Sequence, residues 1–252
     1  MHSLEIAHQT GDAELSRELH QKNAHIKHES YHTTLGNDVI KSVIYGGLDG
    51  IITTFSVICS AYASHLSPHI IFVMGVANVL ADGMSMGHGD YFSEKVENDY
   101  VLSQYKREQW EMDNYLEGEI SEMVELYKTK YSIPEEEARS LLEGMANTPK
   151  LFLDHMMVVE LDLMPPDGTA NPLKNGIVTF GSFIVFGFIP LIVYRLLESF
   201  QWACGATVLS LAALGWLRAS FTHSNPIRSM VITVFNGGCS AAVAYGVSNL
   251  LL

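Results

Sequence analysis

Five apolar stretches of about twenty residues each run through this chain, and they leave few choices of fold. A helix needs about 20 apolar residues to cross a hydrocarbon core. Val39–Ala63 meets this with only Lys41 and Asp49 charged. His69–Gly87 follows the turn at Leu66-Ser67-Pro68, with Asp82 its one charge. Leu173–Leu197, Phe200–Leu217 and Met230–Leu252 supply three more, charged only at Lys174 and Arg195 near the ends of the first. Backbone inside a bilayer must satisfy its own hydrogen bonds, so each run predicts a helix. The expected fold class is all-α: a polytopic membrane protein with five transmembrane helices and a cytosolic helical insert between helices 2 and 3.

The averages conceal this segregation, with hydrophobic residues at 48% and charged residues at 17% of 252. Of the 28 acidic residues, 19 lie between Asp90 and Asp167, against 7 Lys or Arg, so that segment accounts for nearly all of the net charge of −13. Such a surface repels nucleic acid and attracts cations. Cys59, Cys204 and Cys239 have no paired spacing and read as small hydrophobes. The first 37 residues are polar and His-rich, which predicts insertion through the first internal helix instead of a cleavable signal. The organisation expected is a His-rich cytosolic tail over 1–37, transmembrane helices over 38–88, an acidic helical metal-binding domain over 89–171 and the last three spans over 172–252.

Orientation follows from Lys and Arg in the loops. With five spans, the tail, the insert and the 218–229 loop share one side and hold 14 of the 15 basic residues, leaving only Arg195 opposite. Positive-inside places the insert and the N-terminus in the cytosol.

From Asp90 to Lys130 the pattern stays helical without proline, which predicts that the second span continues into the insert. Further helices are expected near Pro134 and over Pro149–Leu161. Glu108 and Glu111 are three apart, as are Glu119 and Glu122. Like charges at that spacing share a helix face and repel unless a cation neutralises them. Met156, Met157 and Glu160 add thioethers and a carboxylate, a mixture that suits a transition metal better than Ca²⁺ or Mg²⁺. A solvated acidic face with two core methionines would show the same spacing. In the tail, His28 and His32 are an i,i+4 pair able to chelate if helical, although a disordered tail fits equally.

Acidic residues at membrane depth are expensive and mark pathways or relays. Asp49 sits mid-span, and Asp38 lies three turns earlier on roughly the same face. Asn78, Asp82, Met86 and Asp90 recur every four residues, beside a stripe of Ala77, Ala81, Ser85 and Gly89. The pairs Gly46/Gly50 and Gly83/Gly87 permit close helix approach. Together they suggest two packed helices presenting Asp49, Asn78, Asp82 and Met86 to a polar path. Buried carboxylates exchange a proton for a metal ion, the minimum chemistry of cation/proton antiport.

Several short motifs then carry a resemblance: Gly47-Leu48-Asp49-Gly50, Ser85-Met86-Gly87, Glu94-Lys95-Val96-Glu97, Lys106-Arg107-Glu108-Gln109, the run from Leu153 to Leu161, and Asn225-Pro226-Ile227-Arg228-Ser229. In order and spacing the chain resembles the vacuolar iron transporter family over roughly residues 36–252. The resemblance implies a homodimer with the ion path at its interface, exporting cytosolic Fe²⁺ to an acidic vacuole in exchange for protons, with Mn²⁺, Zn²⁺ or Co²⁺ as further cargo. It implies no prosthetic group and no enzyme activity. It implies metal gathering by Glu108, Glu111, Glu119, Glu122, Met156, Met157 and Glu160, and a membrane route through Asp49 and Met86 with Asp38 at its entrance. Plant-type members carry glutamate where this chain has Asn78, and Asp82, one turn along, is the expected replacement. Two other readings stay open: a membrane-tethered metal buffer or sensor, and a membrane-anchored di-iron oxidase. The insert lacks the Glu-x-x-His that the oxidase needs.

Overall fold

Among the described residues from Thr34 onward, seven helices follow one another. The computed structural model describes residues 34–251 except 167, 169 and 223, together with residue 14; among 34–251, side chains are described from residue 39. The helices are α1 (Thr34–Ala63), α2 (Pro68–Tyr131), α3 (Glu135–Ala146), α4 (Pro149–Val159), α5 (Pro172–Leu197), α6 (Phe200–Thr222) and α7 (Pro226–Leu251). Among the described residues there is no strand. Five of the helices, α1, α2, α5, α6 and α7, are long and apolar enough to span a membrane.

Local chemistry sets the ends. Pro68 and Pro172 stand in the first turns of α2 and α5, where a missing N–H costs nothing. Ser67 and Asn171 accept from the amides of Ile70 and Lys174 at 3.5 and 3.1 Å. Three glutamates, Glu135, Glu136 and Glu137, occupy the first turn of α3, where the helix dipole favours them. α2 closes on Ser132 and α5 on Glu198, both in the left-handed region.

α5 is the hub of the bundle. A β-carbon on Gly46 or Gly50 of α1 would meet the backbone oxygens of Thr179 and Phe183 on α5 at 2.6 and 2.5 Å. On α2, one on Gly87 would meet the Gly176 oxygen at 2.8 Å, and one on Gly83 the Phe183 and Ile184 side chains. Each glycine pair therefore seats its helix on α5. Small residues win here because, in lipid, close van der Waals packing drives association. Phe55, Ile58, Ile71, Leu191 and Tyr194 fill one apolar core between these helices, and Ile51, Leu211 and Leu214 fill another beside α6.

Outward, large apolar side chains stand uncovered, including Leu209, Phe235 and Leu250 at 71–83% exposure. Trp202 and Trp216, near opposite ends of α6, are also exposed, where aromatic rings settle at the two edges of a bilayer.

A third core builds the insert. Met112, Ile120, Met123 and Val124 of α2 pack with Ala138 and Leu142 of α3 and with Phe152, Leu153 and Met156 of α4. This cluster exists because α2 is not straight. Tyr115 has φ −150° and ψ 60°, outside the helical region, and the helix changes direction there.

Candidate metal centre and membrane path

The bend at Tyr115 assembles the carboxylates. In a straight helix Glu108 and Glu119 would stand about 16 Å apart along the axis. In the structure one carboxylate oxygen from each of Glu108, Glu111 and Glu119 lies within 4.8 Å of the others. Glu108 and Glu119 are buried, at 1% and 8% exposure. Arg107 partly neutralises the group, bonding Glu108 at 2.5 Å and lying 3.9 Å from Glu111.

α4 closes the site from the other side. It is held against α2 by a hydrogen bond of 2.6 Å between Tyr127 Oη and His155 Nε2, and by another between Tyr105 and Asp154. Lys130 Nζ donates to the Val159 carbonyl at 2.9 Å. So anchored, Glu160 comes within electrostatic range of Glu108, Glu122 and Glu119. Its Oε2 is buried and has no hydrogen-bond partner. Burial, then the neighbouring glutamates, push both Glu119 and Glu160 up to about 7, with Arg107 pulling the other way. A neutral pH thus leaves each able to hold or release a proton. Met156 points into the apolar core of the insert; Met157 is fully buried without joining that core.

The second group lies between α1 and α2 at membrane depth. Asn78 Nδ2 donates to Asp82 Oδ2 at 2.5 Å, while Asn78 Oδ1 is buried without a partner. Asp49 on α1 is half-buried and feels the Asp82 charge across the helix pair. Met86, one turn beyond Asp82, is half-buried too. The stripe of Ala77, Ala81, Ser85 and Gly89 beside them faces outward, uncovered. The Asp38 side chain and the tail histidines His2, His8, His20, His25, His28 and His32 lie outside the described residues.

Three contacts escaped the sequence reading. Asp90 Oδ2 accepts from Thr179 at 2.5 Å and from Ser42 at 3.5 Å, joining α5 and α1 to α2. One turn along, Asn175 Nδ2 donates to both Glu94 oxygens at 2.9 Å. Asn175 and Thr179, polar and four apart in a mostly apolar span, were the available signal. This ladder sits where α2 passes from the bundle towards the glutamate cluster.

Comparison with known proteins settles the lineage. The family model described as the VIT family matches residues 40–249. The chain belongs to the VIT family. It is 35% identical over 266 aligned positions to the vacuolar iron transporter of Toxoplasma gondii, covering 100% of this chain and 88% of that protein. The vacuolar iron transporter of Plasmodium falciparum is 33% identical over 250 positions, covering 95% and 92%. Vacuolar iron transporter 1 of Arabidopsis thaliana is 31% identical over 222 positions, covering 86% and 88%. The VIT match runs from within α1 to within α7 and so includes the bend of α2 with its glutamates.

Proposed function

We propose that this protein is a transporter that moves Fe²⁺ from the cytosol into a vacuole-type acidic compartment in exchange for protons. Cytosolic iron is thereby stored and its toxicity limited. The observation that carries this reading is the convergence of Glu108, Glu111 and Glu119 within 4.8 Å at a bend of α2. Carboxylates brought so close repel, and a divalent cation relieves the repulsion. Glu122 and Glu160 complete the oxygen set, and Met157 offers a buried thioether from α4.

Proton coupling rests on the same group. Glu119 and Glu160, held up to about 7, carry protons at cytosolic pH that an arriving cation displaces. The ion then enters the bundle past Asp38 and descends by Asp49, Asp82 and Met86, with Asn78 bonded to Asp82. The uncovered small-residue stripe beside these groups supports a homodimer in which a second copy closes the path. Thioether and carboxylate ligands also admit Mn²⁺, Zn²⁺ and Co²⁺.

Flux in proteoliposomes tests this. Fe²⁺ uptake driven by an inward-acid gradient, with proton counterflow, is the expected result, and Asp49→Ala abolishes it. Stoichiometric metal binding without flux would make the protein a tethered metal buffer instead.

A further inference from the structure

The 54 residues after Glu198 contain no acidic side chain, in a chain whose net charge is −13. Their only Lys or Arg residues are Arg218 and Arg228, which stand at the end of α6 and the start of α7. Among the described residues neither has a carboxylate within ion-pair distance. Both line one cleft of about 410 Å³, together with Thr222, Ser224 and Asn225. Ser229 forms part of its wall; that residue is 9% exposed, and its hydroxyl is buried without a hydrogen-bond partner. A buried hydroxyl without a partner, in the wall of a cleft that also holds two arginines, is costly unless an acceptor arrives for its hydrogen bond. The start of α7 adds positive potential, since Asn225 caps it by accepting from the Arg228 amide at 3.2 Å.

A second cleft of about 430 Å³ adjoins the first and shares Arg218 and Thr222 with it. Its wall is mainly apolar, with Ile40, Ile44, Leu48 and Phe221, and Lys41 stands at its edge. One cleft thus offers cations and hydroxyls, and its neighbour offers a greasy channel along α1.

We propose that the paired clefts bind the phosphate of an anionic phospholipid, with an acyl chain lying along Ile44, Leu48 and Phe221. A phosphate suits this site because guanidinium groups grip it bidentately while Ser229 donates to it. The apolar annex selects a lipid over free phosphate. Basic pockets between transmembrane helices on the cytosolic side are where such headgroups lodge. The Arg218 and Arg228 pair would otherwise serve only to orient the chain in the bilayer, a role that requires neither a cleft nor a buried unpaired hydroxyl.

Native mass spectrometry of the purified full-length protein in neutral detergent tests the proposal. Dioleoylphosphatidylserine should be retained about tenfold better than dioleoylphosphatidylcholine. The double variant Arg218→Gln/Arg228→Gln should lose that preference, and Ser229→Ala, which keeps the charge, should weaken it severalfold. Arg195→Gln, at the other end of the bundle, should leave it intact. Equal retention of the two lipids, or an equal loss in Arg195→Gln, would overturn the site. Displacement of the phosphatidylserine by millimolar inorganic phosphate would equally overturn it as a lipid site.

Discussion

The ring of Tyr115 fills the space in which a β-carbon at Gly118 would stand, at the bend of α2. The backbone at Tyr115 leaves the helical region and its ring folds over the next turn, against Gly118, so a side chain there must displace the ring. Beyond the bend, Glu119 returns towards Glu108. Gly118→Ala should therefore spread the carboxylates and weaken metal binding about tenfold, equivalent to about 1.4 kcal/mol. Calorimetric titration with Mn²⁺ reads this directly. An unchanged affinity would mean that the bend does not build the site.

The stability of the metal-free protein should fall as pH rises. A glutamate at about 7 in the folded protein, against 4.5 as its ordinary value, binds its proton more tightly when folded. Between those values the folded state keeps protons that the unfolded state has lost, so the contribution of these two groups to stability is full below 4.5 and declines towards 7. The melting temperature should accordingly drop between about pH 5 and about pH 7.5. Mn²⁺ should restore it at the upper end by binding the folded state alone. Glu119→Gln/Glu160→Gln should flatten the slope; an unaltered slope in that variant would remove both residues from the account.

Much of this was legible in the sequence because lipid is a strict solvent. A run such as Leu173–Leu197 has no other stable conformation at membrane depth, and its length sets the span. The continuation of the second span into the glutamate helix was legible too, since no proline interrupts Asp90–Lys130. The bend inside that helix was not. It depends on a ring meeting one glycine three residues away, and neither Tyr115 nor Gly118 breaks a helix by itself. Likewise Gly46, Gly50, Gly83 and Gly87 announced close packing without saying against what. Their common partner, α5, became visible only in three dimensions, as did the bonds from Thr179 to Asp90 and from Asn175 to Glu94.

Close packing on α5 makes a sharp prediction. A methyl group at Gly50 would stand 2.5 Å from the Phe183 carbonyl oxygen, so α1 must shift to admit it. Gly50→Ala should cost about 1–3 kcal/mol, read as a drop in melting temperature in detergent. Gly181→Ala, on the open side of α5 with nothing within 4 Å, should be tolerated. Equal effects from both would contradict α5 as the hub.

The outward stripe on α2 predicts the dimer contact. With Cys59, Cys204 and Cys239 replaced by alanine, Ser85→Cys should cross-link two protomers in membranes under mild oxidation. Val243→Cys, on the exposed face of α7, should not. Cross-linking at Val243 and none at Ser85 would place the interface elsewhere.

The central claim is that metal gathered at the bent helix leaves through Asp49 in exchange for protons. Its most direct test is simultaneous Fe²⁺ and proton flux in proteoliposomes holding an acidic interior. The account predicts Fe²⁺ uptake coupled to proton exit, a slower rate at low iron in Glu108→Ala, and no flux of either ion in Asp49→Ala. Fe²⁺ uptake that proceeds undiminished in Asp49→Ala, or that moves no protons, would contradict it.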